Sequence, residues 1–329
     1  MLTPPTDLDP VALVEELAHW GLREPKLEYL PVGFGSHHWR ADNPDGSRAF
    51  VTVDDLTAGF QGGDDVYSAF SALERAYRTA AALRNGAGLE FVLAPLADDE
   101  GAPSRRLGER YAVSVTPFLE GSSSSFGTYE TEDERRRIGE LLGRLHVVGE
   151  AIPADLPRRD DLAIPSRSVL SGALENLALP WRTGPFAEPT RALLVAKADE
   201  LHRSLRSYDA RADRLRQRSD GWVVTHGEPH RANLIVDALG ELHLIDWDTT
   251  MFAPRERDLW IVLDDELTGW GEYTQVVGDV ALDADALELY RQRWDLADIA
   301  AFVALFRRPH EEDENTTASF GHLRAYLSG

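Results

Sequence analysis

Apolar residues recur along this chain with two different periods, and the order of those periods lays out its elements. Leu13, Val14 and Leu17 share one face of a helix that Asp9 and Pro10 open and Gly21 closes. The runs 27–32 and 49–53 read as strands, with the turn sequence Asn43-Pro44-Asp45-Gly46 between them. Phe70, Leu73, Tyr77 and Ala80 recur at helical spacing across 66–83, and Asn85-Gly86 ends that segment. Two further strands are expected over 91–96 and 110–115, separated by a polar loop. The serine run at 122–125 reads as a flexible connector. Beyond it, Thr131 and Glu134 form a capping box ahead of Ile138, Leu141, Leu142, Leu145 and Val148. Loops and short helices are expected over the proline-rich stretch 153–189, and a long charged helix over 188–216. Residues 222–225, 234–236 and 242–245 read as short strands, the last two joined by a turn at 237–240. An amphipathic helix over 283–306 is ended by Pro309, and 311–314 reads as a solvated loop.

The candidate chemistry is concentrated in one stretch, THGEPHRANLIVDALGELHLIDWD, residues 225–248. The carboxylate of Glu228 is followed five positions later by the amide of Asn233, and thirteen positions after that by Asp246 at the end of an apolar run. Phosphoryl transfer needs an acceptor near the attacking hydroxyl and oxygen ligands for Mg²⁺, and these residues are of those types. The hairpin places Asn233 at its entry and Asp246 at its exit, side by side over one site. The spacing of His226, Glu228 and Asn233 matches the kinase catalytic loop H-x-D-x-x-x-x-N, with Asp246-Trp247-Asp248 in place of Asp-Phe-Gly. Glutamate stands where that loop has aspartate.

These residues, His226-Gly227-Glu228 with Asn233 and then Ile245-Asp246-Trp247-Asp248, resemble the signature of the aminoglycoside phosphotransferase family, relatives of the protein kinases. The continuation at 253–259 is most similar to the spectinomycin phosphotransferase branch, and the Glu-Pro-His-Arg variant at 228–231 to actinomycete antibiotic self-resistance kinases such as capuramycin phosphotransferase. The resemblance implies an α+β, bilobal, protein-kinase-like fold. A small antiparallel-sheet N-lobe, 1–117, would bind the nucleotide, and a larger, mainly helical C-lobe, 118–329, would carry the catalytic loop, metal site and substrate helices. It also implies ATP or GTP as phosphate donor, Mg²⁺ as cofactor and a hydroxyl of a small molecule as acceptor. Gly33, Gly35 and Ser36 would cover the phosphates in a strand-turn-strand. Thr116 and Phe118 would hold the base through backbone groups at the hinge, Pro117 having no N–H to give. Asn233 and Asp246 become metal ligands, and Glu228 accepts or orients the hydroxyl proton. Asp258 ties the catalytic loop down by hydrogen bonds, and His146 is a structural histidine.

One departure stands out. The strand at 49–53 occupies the place of the kinase strand that carries the phosphate-pairing lysine, yet the chain holds only Lys26 and Lys197, neither of them there. By its alternation Thr52 takes that position, and Glu74 sits where the family helix offers a glutamate to the lysine. The pattern instead assigns Arg231 to face the phosphoryl group and His230 to serve as an additional proton acceptor. The extra methylene of Glu228 moves its carboxylate by roughly 1.5 Å relative to Asp, and at neutral pH an ordinary glutamate is an ionised, weak base, so orientation is the larger part of its task.

Composition narrows the partners. A net charge of −22 excludes nucleic acid and anionic membrane as partners, since both need a basic face, and suits a small-molecule substrate. The absence of cysteine removes disulfide and thiolate chemistry. The opening MLTPPTDLDP has no basic n-region or apolar h-region, so a cytoplasmic location is expected. The expected function is an antibiotic phosphotransferase conferring resistance, on an aminocyclitol or nucleoside. A metabolite kinase for choline, homoserine or a sugar, or a catalytically silent nucleotide-binding protein, would share the same motifs.

Overall fold

The computed structural model describes residues 1–57, 65–218 and 221–328. The chain divides into two compact units, one formed by Met1, Thr3–Asp160 and Gly221–Asp283, the other by Leu2, Asp161–Asp220 and Ala284–Gly329.

In the first unit α1 (Pro10–Leu17) begins where the Asp9 carboxylate accepts the Val11 N–H, and it buries Leu13 and Leu17. Strands β1 (Lys26–Leu30), β2 (Ser36–Asp42) and β3 (Arg48–Asp55) follow, then α2 (Val66–Asn85), which opens on a reciprocal Asp65–Ser68 capping box. With β4 (Ser104–Leu107) and β5 (Tyr111–Pro117) they complete an antiparallel sheet of order β1-β2-β3-β5-β4. Ala49, Val51 and Val53 of β3 enter a core with Leu13, Leu17, Trp39, Val113 and Val115. The two-residue period of the strand therefore puts Phe50, Thr52 and Asp54 together on the other face. Leu73 and Tyr77 of α2 pack with Leu56 and Ala112 at the same end of β3.

β6 (Gly121–Ser123) leads to α3 (Glu132–His146), whose Thr131 and Glu134 form the expected capping box, and then to β7 (Arg158–Arg159). The second unit takes α4 (Arg167–Glu175) and α5 (Ala187–Arg216). The chain re-enters the first unit with β8 (Trp222–Thr225), β9 (Leu234–Asp237), β10 (Leu242–Leu244), β11 (Met251–Pro254), α6 (Glu256–Val262) and α7 (Trp270–Val277). It ends in the second with α8 (Ala284–Phe306) and α9 (Glu314–Ser328). Two three-stranded sheets, β10-β9-β6 and β7-β11-β8, bracket the loop that follows β8. Among the described residues no helix is long and apolar enough to cross a membrane.

Several elements differ from the sequence reading. Residues 91–96 form no regular strand: Val92 makes an isolated bridge to Leu244, and Pro95 lacks the N–H a ladder requires. β4 forms inside the segment read as a polar loop, because Arg105 is not loop polarity but the partner of Glu16 and Asp98. The serine run begins as β6, which pairs with β9 through backbone groups and so leaves no mark in side-chain pattern. Helix α9 has no counterpart in the sequence reading either, its few buried positions such as Leu323 and Leu327 being diluted by polar residues.

Candidate active site

The loop after β8 is organised by one buried carboxylate. Asp258, near the start of α6, accepts the N–H of His226 at 2.8 Å, the N–H of Gly227 at 2.6 Å and the Nε2 of His146 at 3.0 Å. Burial alone would raise its pKa, but the His146 hydrogen bond, with the nearby Arg257 cation, brings it below the usual carboxylate range. Next to it the Arg257 guanidinium donates to Thr225 Oγ1 and to the Thr249 carbonyl, each at 2.8 Å. His226 is fully enclosed: Nε2 donates to the Ile245 carbonyl at 2.8 Å while Nδ1 accepts the Glu228 N–H at 3.2 Å. Both bonds require neutral imidazole, and burial lowers the His226 pKa to about 4.

Gly227 is the tightest point of this loop. Its φ is +103°, and a Cβ there would run into the Arg257 guanidinium. Gly227→Ala is expected to cost at least ~2 kcal/mol, the sum of a disfavoured backbone and an overpacked contact, read as a lower urea midpoint at unchanged m-value.

Beyond Gly227 the chain presents the predicted groups. The Glu228 side chain is partly exposed, and its Oε2 stands 4.0 Å from His230 Nε2. Asn233 donates its amide N–H to the Glu228 carbonyl at 3.0 Å and its backbone N–H to His230 O at 2.9 Å. Its own carbonyl accepts the Ile245 N–H at 3.0 Å. That clamp turns the amide nitrogen toward the loop, leaving the oxygen as the atom fit to meet a cation. On the other strand of the hairpin Trp247 is buried, its indole N–H bonded to the Leu244 carbonyl at 2.8 Å. Asp246, held between Ile245 and Trp247, adopts φ +67°, a left-handed conformation that a non-glycine residue takes only where the surroundings impose it.

Three aspartates converge here without a lysine or arginine hydrogen-bonded to any of them among the described residues. Asp246 and Asp248 stand deep among protein atoms yet reach solvent, and their carboxyls hydrogen-bond each other. Burial, then Asp246, Glu228 and Asp54, push Asp248 well above the carboxylate range; burial also raises Asp246, which the Asp248 hydrogen bond holds lower. The third is Asp54, 1% exposed, which accepts the Ser36 hydroxyl at 2.6 Å and the Tyr77 hydroxyl at 3.3 Å. Burial, with a contribution from the charge of Asp246, raises its pKa to about 7.

Asp54 is the functional-site residue that sequence reasoning missed. Thr52 lies two residues away on the same face, bonded through Oγ1 to His38 Nδ1 at 3.2 Å, and it is Asp54 whose ionisation feels the charge of Asp246. The signal was present in the alternation of Phe50, Thr52 and Asp54. Glu74, on α2, is paired with Arg78 at 2.7 Å on the surface, and Tyr77 is the α2 side chain that reaches β3. Gly33 and Gly35 occupy the β1–β2 turn with φ +71° and +90°, conformations that favour glycine, and Ser36 opens β2. Thr116 pairs in register with Phe50 at the far end of β3, with Phe118 just beyond it. His230 is buried and its pKa is lowered to about 4, chiefly by burial and then by His226. Arg231 points to the start of α3, to Glu130 at 2.5 Å and Glu134 at 3.4 Å.

Among the described residues no group of three or more His, Cys, Asp and Glu side chains is arranged to hold a metal ion. Mg²⁺ is ordinarily held by one or two carboxylates with phosphate and water completing the shell. Asn233, Asp246 and Asp248 offer only hard oxygen donors of that kind.

A five-stranded antiparallel sheet beside a loop and hairpin that gather these groups defines a kinase-like α+β fold. Residues 29–308 match the Phosphotransferase enzyme family, and the chain belongs to it. It is 27% identical over 315 residues to Protein StrN of Streptomyces griseus, covering 92% of this chain and 86% of StrN. Its fold is similar to that of spectinomycin phosphotransferase APH(9)-Ia, solved with ADP and spectinomycin, at TM-score 0.73 and 16% identity over 98% of both chains. Choline kinase LicA of Streptococcus pneumoniae is similar at TM-score 0.55 and 15% identity, over 96% of this chain and 97% of that one.

Proposed function

We propose that this phosphotransferase moves the γ-phosphate of ATP or GTP to a hydroxyl of a small-molecule antibiotic, an aminocyclitol or a nucleoside, and thereby confers resistance in the cytoplasm. The observation that carries the reading is the convergence of Glu228, Asn233 and Asp246 in one hydrogen-bonded loop and hairpin. Residues 1–117 would hold the nucleotide, and 118–329 the catalytic loop and acceptor. Gly33, Gly35 and Ser36 lie at the Asp54 end of β3, while Thr116 lies four residues away along it, about 13 Å at the rise of an extended strand, with Phe118 just beyond. That span fits phosphates at one end and a base against hinge backbone at the other.

In this reading Asn233 and Asp246 hold Mg²⁺, which would neutralise the charge of the transferring phosphoryl group. Glu228 orients the acceptor hydroxyl and takes its proton, and His230, kept neutral by burial, is a second acceptor within reach of Glu228. Arg231 supplies the cation that the absent lysine would have given, on leaving Glu130. Spectinomycin bound to APH(9)-Ia supports an antibiotic acceptor, and the likeness to LicA makes choline the alternative to include. The test is mass spectrometry for a gain of ~80 Da, one phosphoryl group, across aminocyclitols, nucleoside antibiotics and choline with each nucleotide. Wild-type turnover by both His230→Ala and Arg231→Ala would remove those two residues from the mechanism.

A further inference from the structure

The catalytic loop is gripped by a segment that the proposed chemistry does not use. β6 is registered to β9 through Gly121↔Asp237, Ser122↔Val236 and Ser123↔Ile235, so the residues after it start from the same hairpin that carries Asn233. From there Ser124 accepts a hydrogen bond from Arg231 Nη2 at 3.3 Å, and the Phe126 ring meets the His230 imidazole edge to face, centroids 4.8 Å apart at 72°. Further on, the buried Tyr129 hydroxyl donates to the Pro229 carbonyl at 2.5 Å, and Glu130 takes the Arg231 guanidinium. Three consecutive loop residues, Pro229, His230 and Arg231, are thus each held from one side by this segment. The segment is fixed at both ends, by strand pairing at β6 and by the Tyr129 bond and the Thr131–Glu134 cap. Between those anchors Phe126 is 61% exposed, with its ring laid against His230.

We propose that residues 124–130 are a positioning strap for the catalytic loop, and that Phe126 sets the orientation of the His230 imidazole toward Glu228. This rests on the reading of His230 as a participant in the reaction. An imidazole whose nitrogen stands 4.0 Å from the Glu228 carboxylate needs only a small rotation to join or leave it, and the ring of Phe126 limits that rotation. A contact that sets the orientation of the His230 imidazole should act on turnover rather than on nucleotide KM.

The experiment uses the full-length chain and Mg·ATP or Mg·GTP with water as acceptor, comparing wild type, Phe126→Ala, Phe126→Trp, His230→Ala and the double variant Phe126→Ala/His230→Ala. Phe126→Ala should lower kcat about 10- to 100-fold, the scale of a misplacement approaching 1 Å, with nucleotide KM within twofold of wild type. Phe126→Trp should restore most of the rate, and Phe126→Ala should do nothing further once His230 is gone. The ring-current shift of the His230 Hε1 proton, read by NMR without turnover, should vanish in Phe126→Ala and persist in Phe126→Trp. The proposal is overturned by a Phe126→Ala kcat within twofold of wild type, by a rise in nucleotide KM at unchanged kcat, or by an equal Phe126 effect in the His230→Ala background. If His230→Ala alone keeps the wild-type rate, the catalytic reading of His230 fails with the strap's role. An unchanged His230 proton resonance sinks the strap contact by itself.

Discussion

Glu228→Ala is expected to lower phosphorylation by ~10²–10⁴ in kcat, the usual loss on removing a general base, while nucleotide affinity stays near wild type. The loop that presents Glu228 is fixed by its backbone: its N–H is bound by His226 Nδ1 and its carbonyl by Asn233. Truncating a partly exposed side chain leaves those bonds in place, so the variant should fold with a wild-type melting curve. Glu228→Asp separates position from charge. It restores the family residue but withdraws the carboxylate by roughly 1.5 Å, and a loss of about 10² would show that this loop is built for the longer side chain. Removing Glu228 also takes away one of the negative charges that push Asp248 up, so Asp248 should lose its proton more readily and Mg²⁺ affinity should not fall. Steady-state rates with the phosphorylated acceptor followed by mass are sufficient. A Glu228→Ala enzyme at wild-type speed would remove Glu228 from the reaction.

Much of this site was legible because its chemistry is local. Glu228, Asn233 and Asp246 lie within nineteen positions of one another, and the strand-loop-hairpin that joins them is short enough for spacing to fix geometry. The capping boxes at Asp65 and Thr131 are likewise local; the second was read from Thr131 and Glu134 directly. What stayed hidden depends on pairing across the chain. β6 is made by backbone bonds to β9, 112 or more positions away, and its serines carry no strand pattern. β4 was masked by arginines whose polarity is cancelled by partners at Glu16 and Asp98. The Phe126–His230 contact follows from both, since nothing in an isolated Ser-Ser-Phe-Gly run signals a neighbour at 230. Asp54 is the intermediate case, a polar residue at the end of an apolar alternation whose importance appears only when burial and the charge of Asp246 act on it.

Asp54 carries the second large expected effect, on stability against pH. Its pKa is about 7 in the folded chain and near 3.9 in an unfolded one. Between those values the folded state holds a proton that the unfolded state has released. The stabilisation is therefore fully present below ~3.9 and lost as pH rises through about 7. Asp54→Asn keeps a neutral acceptor for the Ser36 and Tyr77 hydroxyls and has nothing to ionise. The variant should exceed wild type by about 1.5 kcal/mol near pH 5 and by up to roughly 4 kcal/mol at pH 8, since each tenfold change in an ionisation constant is worth about 1.4 kcal/mol. His37, His38, His226 and His230, all lowered by burial, destabilise the fold as pH falls below 6.5. They do so equally in both proteins, so the difference between the two urea curves isolates Asp54. Parallel curves from pH 5 to pH 8 would mean that the carboxyl ionises freely, and that the aspartates around Asp246 are well solvated. A growing gap would mean instead that this protein keeps a reluctant acid on the face of β3 that also carries Thr52, a strand without lysine. The positive charge that phosphate requires would then have to come from Arg231 and the cation at Asn233 and Asp246.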